Sequence, residues 1–395
     1  MANSLTAFNP EYWAQEIQPV FYKENMLLQL ANVEVKPLVS DGDTINKPYR
    51  SHLYLQNYTK GTDVTVQDVS GTNEQLSVAT AKTAAIYYDD IDGLQNKWDL
   101  ASEYAQEMAR LLNNDLEQAF TAEYSNATSS ITAADMGGSG SGTFSLNTAN
   151  IMNMFVVAKR KLGVLDIPRG NFFAIIGERD LELLTLYVGS RETGFGDNVE
   201  ANGFTGKRFG FDVYVSNNLP FGATWTPADN PSDGDTVSVG GVTFTFESGA
   251  LDTAGEIDIG ATTAATITNL VACINQTGTA GTDYVALSDA DRFKTTKAGI
   301  TATDNTTNVA IAGYGDIVVS ASETNDLWSA QSSYPIFGMK KVVQMLIQMP
   351  PKVQFTQPPL RFGKYGMALM LYGKKTWNNL KDALVYAKIN ASSWT

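Results

Sequence analysis

Between Gly93 and Tyr124 the chain holds neither proline nor glycine. Trp98, Ala101, Tyr104, Ala105, Met108, Leu111, Leu112, Leu116, Ala119 and Phe120 recur there at spacings of three and four. That period puts them on one face and predicts a single amphipathic helix. About 31 residues at ~1.5 Å each give roughly 46 Å, the length of a spine laid along a sheet. No heptad is sustained, which argues against a coiled coil. The stretch before it, 44–91, alternates only weakly. Leu53 and Leu55, Val64 and Val66, then Leu76 and Val78 are separated by Asn57, Lys60, Gly61, Gly71 and Asn73. This pattern predicts a long hairpin projecting from a body, with strands that have no core of their own. Such strands need another molecule to cover them.

After a Ser/Gly-rich loop at 125–143, apolar spacing predicts a helix over 147–162 through Ile151, Met154, Phe155 and Ala158. A strand at Phe172–Ile176, a short helix after Gly177 and an alternating strand through Phe211, Val213 and Val215 follow. Beyond Pro220 the composition shifts to Thr, Gly, Ala, Ser and Asp. Val237, Val239, Val242, Phe244 and Phe246 flank Gly240-Gly241, the signature of a two-residue hairpin. A helix at 264–275 and short strands near Val285, Ile300, Val309 and 317–319 complete an inserted α+β unit with its own small core. The body resumes with a strand from Phe337 to Met349, closed by Pro350-Pro351. A strand from Phe362 to Tyr372 is closed by Gly373, and the tail 377–389 forms a helix or a strand. At the other end, Pro10–Trp13 reads as a helix start. Trp13, Phe21, Tyr22, Met26 and Leu30 are too apolar for a solvated tail, so the arm packs on a body, its own or a neighbour's. The expected organisation is an arm at 1–43, an extended hairpin at 44–92, a first body segment at 93–220, an insertion at 221–332 and a return of the body at 333–395.

Charge sharpens this division. Only 18% of the 395 residues are charged and the net charge is −14. Residues 221–333 hold fourteen acids against Arg292, Lys294 and Lys297, so the insertion carries −11 of that total. The body is close to neutral, and no basic stripe offers itself to nucleic acid. One cysteine and one histidine exclude an internal disulfide and a Cys/His zinc site. Cys273 reads as a buried thiol, and His52 as a solvated or interface residue. Ser-Asp-Gly-Asp-Thr occurs at 40–44 and again at 232–236, a turn that launches a strand; a calcium loop needs further ligands at fixed spacing. Asp89, Asp90 and Asp92 precede the long helix, where acids cap the N-terminus. Tyr87, Tyr88 and Tyr386 read as core or interface aromatics. Gly194-Phe195-Gly196 lacks the third glycine of a dinucleotide fingerprint, and no Walker loop, nucleophile elbow or His-Glu-x-x-His occurs. The expectation is a protein that is not an enzyme and uses no cofactor or metal. The N-terminus has no export signal and no apolar run is long enough to span a membrane, so cytosolic synthesis is expected.

The order of an apolar arm, long hairpin, spine helix, α+β body and discontinuous second lobe resembles the major capsid protein of tailed double-stranded DNA phages, the Hong Kong ninety-seven type coat fold. Phe8-Asn9-Pro10-Glu11-Tyr12-Trp13 looks like the arm opening of such proteins. Gly206–Tyr214 followed by Ser216-Asn217 looks like the strand pair of the axial lobe, and Leu371-Tyr372-Gly373 like the closing body strand. The resemblance implies an α+β capsid fold with peripheral and axial lobes. It also implies self-assembly through pentamers and hexamers into an icosahedral shell, and residence in the virion after assembly in the host cytoplasm. Implied partners are a portal, a decoration protein, packaged double-stranded DNA held without sequence readout and, since no helical segment precedes the arm, a separate scaffolding protein. Trp13, Phe21, Leu53, Leu55, Lys60, Val64 and Val66 are the expected contacts between copies. Lys60 lies in the loop that carries the family's Lys–Asn crosslink, but no matching motif places an Asn or Glu beside it, so that activity is not carried over. An encapsulin-like cage shares the fold but is usually shorter and without so large an insertion. A surface adhesin or S-layer protein would need the export signal that is missing.

Overall fold

A computed structural model describes residues 26–35, 44–50, 53–91, 100–190, 207–323, 326–357 and 362–391. Trp13, Phe21, His52, the start of the long helix and most of the arm lie outside them. A 3-10 turn at Leu27–Leu30 leads into β1 (Asn32–Val35); β2 (Thr44–Arg50) and β3 (Gly71–Ser77) follow, then β4 (Thr80–Tyr88). The spine helix α1 is described over Leu100–Ala122. Next come β5 (Ser129–Ile131), α2 (Ile151–Val164), β6 (Phe172–Ile176), α3 (Glu178–Gly189) and β7 (Phe211–Val215). The inserted region runs through β8 (Pro220–Thr226), β9 (Thr236–Val239), β10 (Val242–Glu247), β11 (Glu256–Asp258), α4 (Thr263–Asn275), α5 (Asp289–Lys297), β12 (Thr301–Asp304), β13 (Val309–Tyr314), β14 (Val319–Ala321) and β15 (Leu327–Ser333). The body closes with β16 (Ile336–Met339), β17 (Val343–Thr356), β18 (Lys364–Thr376), β19 (Leu384–Ala387) and β20 (Ile389–Asn390).

Two body sheets are built from distant segments. One has the order β1-β17-β18-β4, the other β5-β19-β16-β6-β7. Met108, Leu112, Leu116 and Phe120 of α1 pack on Met345, Ala368 and Met370 of the first sheet. Met154, Phe155, Ala158 and Leu162 of α2 pack on Phe172, Ala174, Phe337 and Val385 of the second. Residues 220–333 build two further sheets, β11-β10-β9-β14 and β12-β13-β8-β15-β20, the second completed by β20 from the closing body segment, around a core that includes Trp225, Phe244, Phe246, Ile267, Leu270 and Cys273. Gly240 and Gly241 both take positive φ, 61° and 77°, as the tight β9–β10 turn requires. Burial pushes the Cys273 thiol up to about 12.

Several expectations are corrected. β4 is not part of the projecting hairpin: it pairs along its length with β18 in the body sheet. Leu76 and Val78 are not coreless either, because they are buried against Leu346 and Trp377. β17 does not stop at Pro350-Pro351. Among the described residues β1 pairs with it along Gln344–Ile347, and the register to β18 shifts between Ile347, Met349 and Lys352, so the prolines sit where the ladder to β18 is irregular. β18 likewise runs through Gly373. Val285 lies in no strand, although neighbouring Tyr284 bridges to Ile257. α5 was not expected from the sequence. Its polar run starts at Ser288, whose hydroxyl accepts the Asp291 amide as an N-cap.

Candidate assembly interface

The hairpin stands on a braced base. β2 and β3 pair from Thr44↔Ser77 to Arg50↔Gly71. At the foot, Lys375 donates to the Gln75 carbonyl at 2.8 Å and pairs with Glu74 at 3.8 Å. The Asn378 amide donates to Glu74 at 3.2 Å. The ammonium groups of Lys47 and Lys375 sit 5.1 and 5.2 Å from the centre of the Trp377 ring, a favourable position over its negative face. Trp377 in turn donates to Gln344 at 2.5 Å. Leu76, Val78, Leu346 and Trp377 form a small apolar cluster beneath. The base is therefore fixed by one large aromatic with cations on it, which sets the direction in which the rest of the loop leaves the body.

Among the described residues β-pairing extends no further than Arg50 and Gly71. Residues 53–70 form no strand. The Gln67 amide bridges the two limbs, accepting from the Tyr54 amide at 3.1 Å and donating to its carbonyl at 2.6 Å. A turn closes the tip, with Thr62 N–H donating to Thr59 at 3.1 Å and Gly61 at a φ of 89°. Leu53, Leu55, Val64 and Val66 are all exposed, Leu55 fully at 102% and Val66 at 88%. Lys60 is exposed at the turn. Tyr54, Tyr58 and Val69, which the sequence reading passed over, join them on the surface. Among the described residues nothing covers this apolar surface.

A second apolar surface lies on the body sheet. Met367 and Leu369 of β18 are exposed, while Ala368 and Met370 between them are buried against α1. Ala85 and Thr83 of β4 stand directly opposite Met367 and Leu369. At the end of the strand the Tyr87 and Tyr365 rings lie 5.2 Å apart. Just past β4, Asp89 accepts the Ile91 amide at 2.9 Å; the start of the long helix that the acids were expected to cap lies outside the described residues.

Buried carboxylates hold the spine in place. Glu117 is fully buried; its two oxygens accept the Leu27 amide at 2.7 Å and the Asn218 side chain at 2.9 Å. Asn218 also donates to Asn114 at 2.9 Å. Glu123 accepts the Thr376 amide and hydroxyl at 3.1 and 2.9 Å. Asp115 accepts the Tyr372 hydroxyl at 2.7 Å and pairs with Lys82 at 3.3 Å. These bonds tie the arm's turn, the spine, the sheet and the entry to the insertion to one another. The insertion rests on the spine through the Lys297 carbonyl, which accepts from Asn114 and Gln118 at 3.3 and 3.0 Å. Among the described residues, no group of three or more His, Cys, Asp or Glu is placed to hold a metal ion, and no helix is long and apolar enough to cross a membrane. Asp233 and Asp235 of the repeated turn accept from Ser248 and Ser232 and lead into β9.

The model of the phage capsid protein family matches residues 72–259. No curated protein matches the chain in sequence. Solved structures match over nearly its whole length. The chain of Mycobacterium phage Che8 is 13% identical with a TM-score of 0.60, covering 97% of this chain and 98% of that one. The capsid of Cyanophage P-SCSP1u is 14% identical with a TM-score of 0.58, covering 98% and 95%. The mature capsid of bacteriophage PhiM1 is 12% identical with a TM-score of 0.53, covering 97% and 92%. The α+β architecture is that of tailed-phage capsids.

Proposed function

We infer that this chain is the major capsid protein of a tailed phage, the subunit from which its shell is built. The carrying observation is a capsid fold that projects a loop of uncovered apolar residues from a braced base. Its role is structural: the shell is its place in the virion. In our reading, Leu53, Leu55, Val64 and Val66 of one copy lie across the Met367–Leu369 face of the next, the arm with Trp13 and Phe21 crosses between copies, and Lys60 contacts the neighbour at the loop tip. Many weak contacts of this kind, repeated by symmetry, give a strong whole. Pentamers and hexamers close the shell, a separate scaffolding protein guides it, and a portal and a decoration protein complete it. The near-neutral body suits a shell wall that encloses double-stranded DNA without reading it, and the strongly acidic insertion suits the outer surface, where it keeps particles soluble.

Expression of the chain alone and with its neighbouring reading frames, followed by electron microscopy, tests this reading. Closed icosahedral particles are the expected result. A compact monomer under all these conditions, with its loop folded back on itself, would overturn it.

A further inference from the structure

The insertion joins the body at a point that the shell reading leaves unused. The chain enters it just after Leu219 and passes the same point again at Gly315, whose amide donates to the Leu219 carbonyl at 2.7 Å. Asp180, on the first turn of α3, is buried beside this crossing. One of its oxygens accepts the Gly177 amide at 3.2 Å. The other, Oδ1, is buried with no hydrogen-bond partner among the described residues. A Cβ placed on Gly177 would meet Leu219 at 3.3 Å, Asp180 at 3.8 Å and Asp316 at 4.0 Å, so both carboxyls lie near this glycine. A cavity of about 340 Å³, lined by Glu178, Arg179, Glu182, Asp316, Gln331 and Ala391, lies along the same seam. Asp316 also lines a second cavity, on α5's side, with Lys294 and Lys297.

An ionised Asp180 would leave a charge in an apolar setting with a single N–H to answer it and another carboxylate close by, which is costly. A proton removes the charge and with it most of that cost. We propose that Asp180 is a proton-controlled joint at the root of the insertion, with Asp316 as its charged neighbour: with Asp180 protonated the joint is closed, and with Asp180 ionised beside Asp316 the insertion loosens on the body. Burial first, then the neighbouring Asp316, pushes the Asp180 carboxyl up to about 7, against the opposing pull of the Gly177 amide and Arg179. The joint therefore works near neutral pH. Glu178 and Glu182 add negative charge on the cavity side and Arg179, Lys294 and Lys297 add positive charge, so the balance is local to this seam.

Hydrogen exchange on the full, unassembled chain tests the joint, and it gives an answer whether or not the protein forms shells. Protection of the amides at 315–319 and 177–181, corrected for intrinsic rates, is compared from about pH 5.5 to about pH 8.5. Protection is expected to fall several-fold in the natural chain across neutral pH and to stay flat in Asp180→Asn. In Asp316→Asn, at an exposed position, the change is expected to move to lower pH. Protection that is independent of pH in the natural chain overturns the proposal. So does an unaltered transition in Asp316→Asn, which keeps the test decisive if Asp180→Asn does not fold.

Discussion

Gly373 passes so close to Ser77 that the Ser77 carbonyl and the Val78 Cα occupy the space where a side chain at 373 would begin. Main chain crosses main chain at the foot of the hairpin, and a strand can continue there only because residue 373 has no Cβ. Gly373→Ala must push the β3–β4 link away from β18 and disturb the Trp377 platform beneath it. The expected cost is about 1–3 kcal/mol of stability, read by denaturant unfolding. Loop accessibility to limited proteolysis should rise with it, and an unchanged variant on both measures would mean that the crossing is slack.

Glu117 offers two acceptors to two donors, the Leu27 amide and the Asn218 side chain. Glu117→Gln keeps the shape but replaces one acceptor with an NH₂ that faces a donor. Turning Asn218 around to compensate would break its bond to Asn114. The substitution should cost about 2–4 kcal/mol and free the arm's turn. Chemical denaturation gives the first quantity, and exchange of the Leu27 amide gives the second.

The spine shows how far sequence pattern reaches. Met108, Leu112, Leu116 and Phe120 declared their face by spacing, and the structure buries all four. From Leu116 to Thr121, however, every residue is buried, because this end of the helix runs through the interior between sheet and insertion. There Glu117 and Gln118 look like solvated surface in a one-dimensional reading, and only the arrival of Leu27, Asn218 and Lys297 from far along the chain makes them internal. Gly240-Gly241 was legible because a tight turn needs positive φ locally. Gly373 was not, because its reason lies about 300 residues away in sequence, at Ser77. Pro350 and Pro351 misled for a related reason: nothing in a strand's own sequence says that its ladder to β18 shifts register at these residues. α5 escaped because its short polar run has only Phe293 as a large apolar residue. The exposed loop residues Leu53, Leu55, Val64 and Val66 were legible as uncovered, since nothing nearby in sequence could cover them.

Acid and base should act on this chain in an unusual direction through Asp180. Its carboxyl stands at about 7 in the folded chain, above the ordinary 3.8. Below about pH 3.8 the proton is present in both folded and unfolded chains, and the residue costs nothing. As pH rises toward 7 only the unfolded chain ionises, so stability is lost progressively and the loss is complete above 7. The upper bound is about 4 kcal/mol at ~1.4 kcal/mol per unit. Asp180→Asn removes this slope, so the difference in unfolding free energy between variant and natural chain should shift in the variant's favour between about pH 4 and pH 8. Parallel stability profiles for the two proteins would contradict the assignment.

Leu55 and Val66 separate folding from assembly. Both are exposed in the single chain, so replacing them with serine removes no internal contact. Leu55→Ser with Val66→Ser should leave the unfolding midpoint within about 0.5 kcal/mol of the natural chain. If the loop is covered by a neighbouring copy, the same change strips apolar area from every equivalent contact in the shell at once, about 25 cal/mol for each Å² lost. Symmetry multiplies that loss. Particle yield by sedimentation should drop at least about tenfold while the monomer stays folded. Met367→Ser with Leu369→Ser attacks the proposed receiving face from the other side and should reproduce the defect. Mixing the two variants should not rescue assembly when every copy needs both a sound loop and a sound face. Normal particles from the loop variant would place the copy-to-copy contacts elsewhere on the fold.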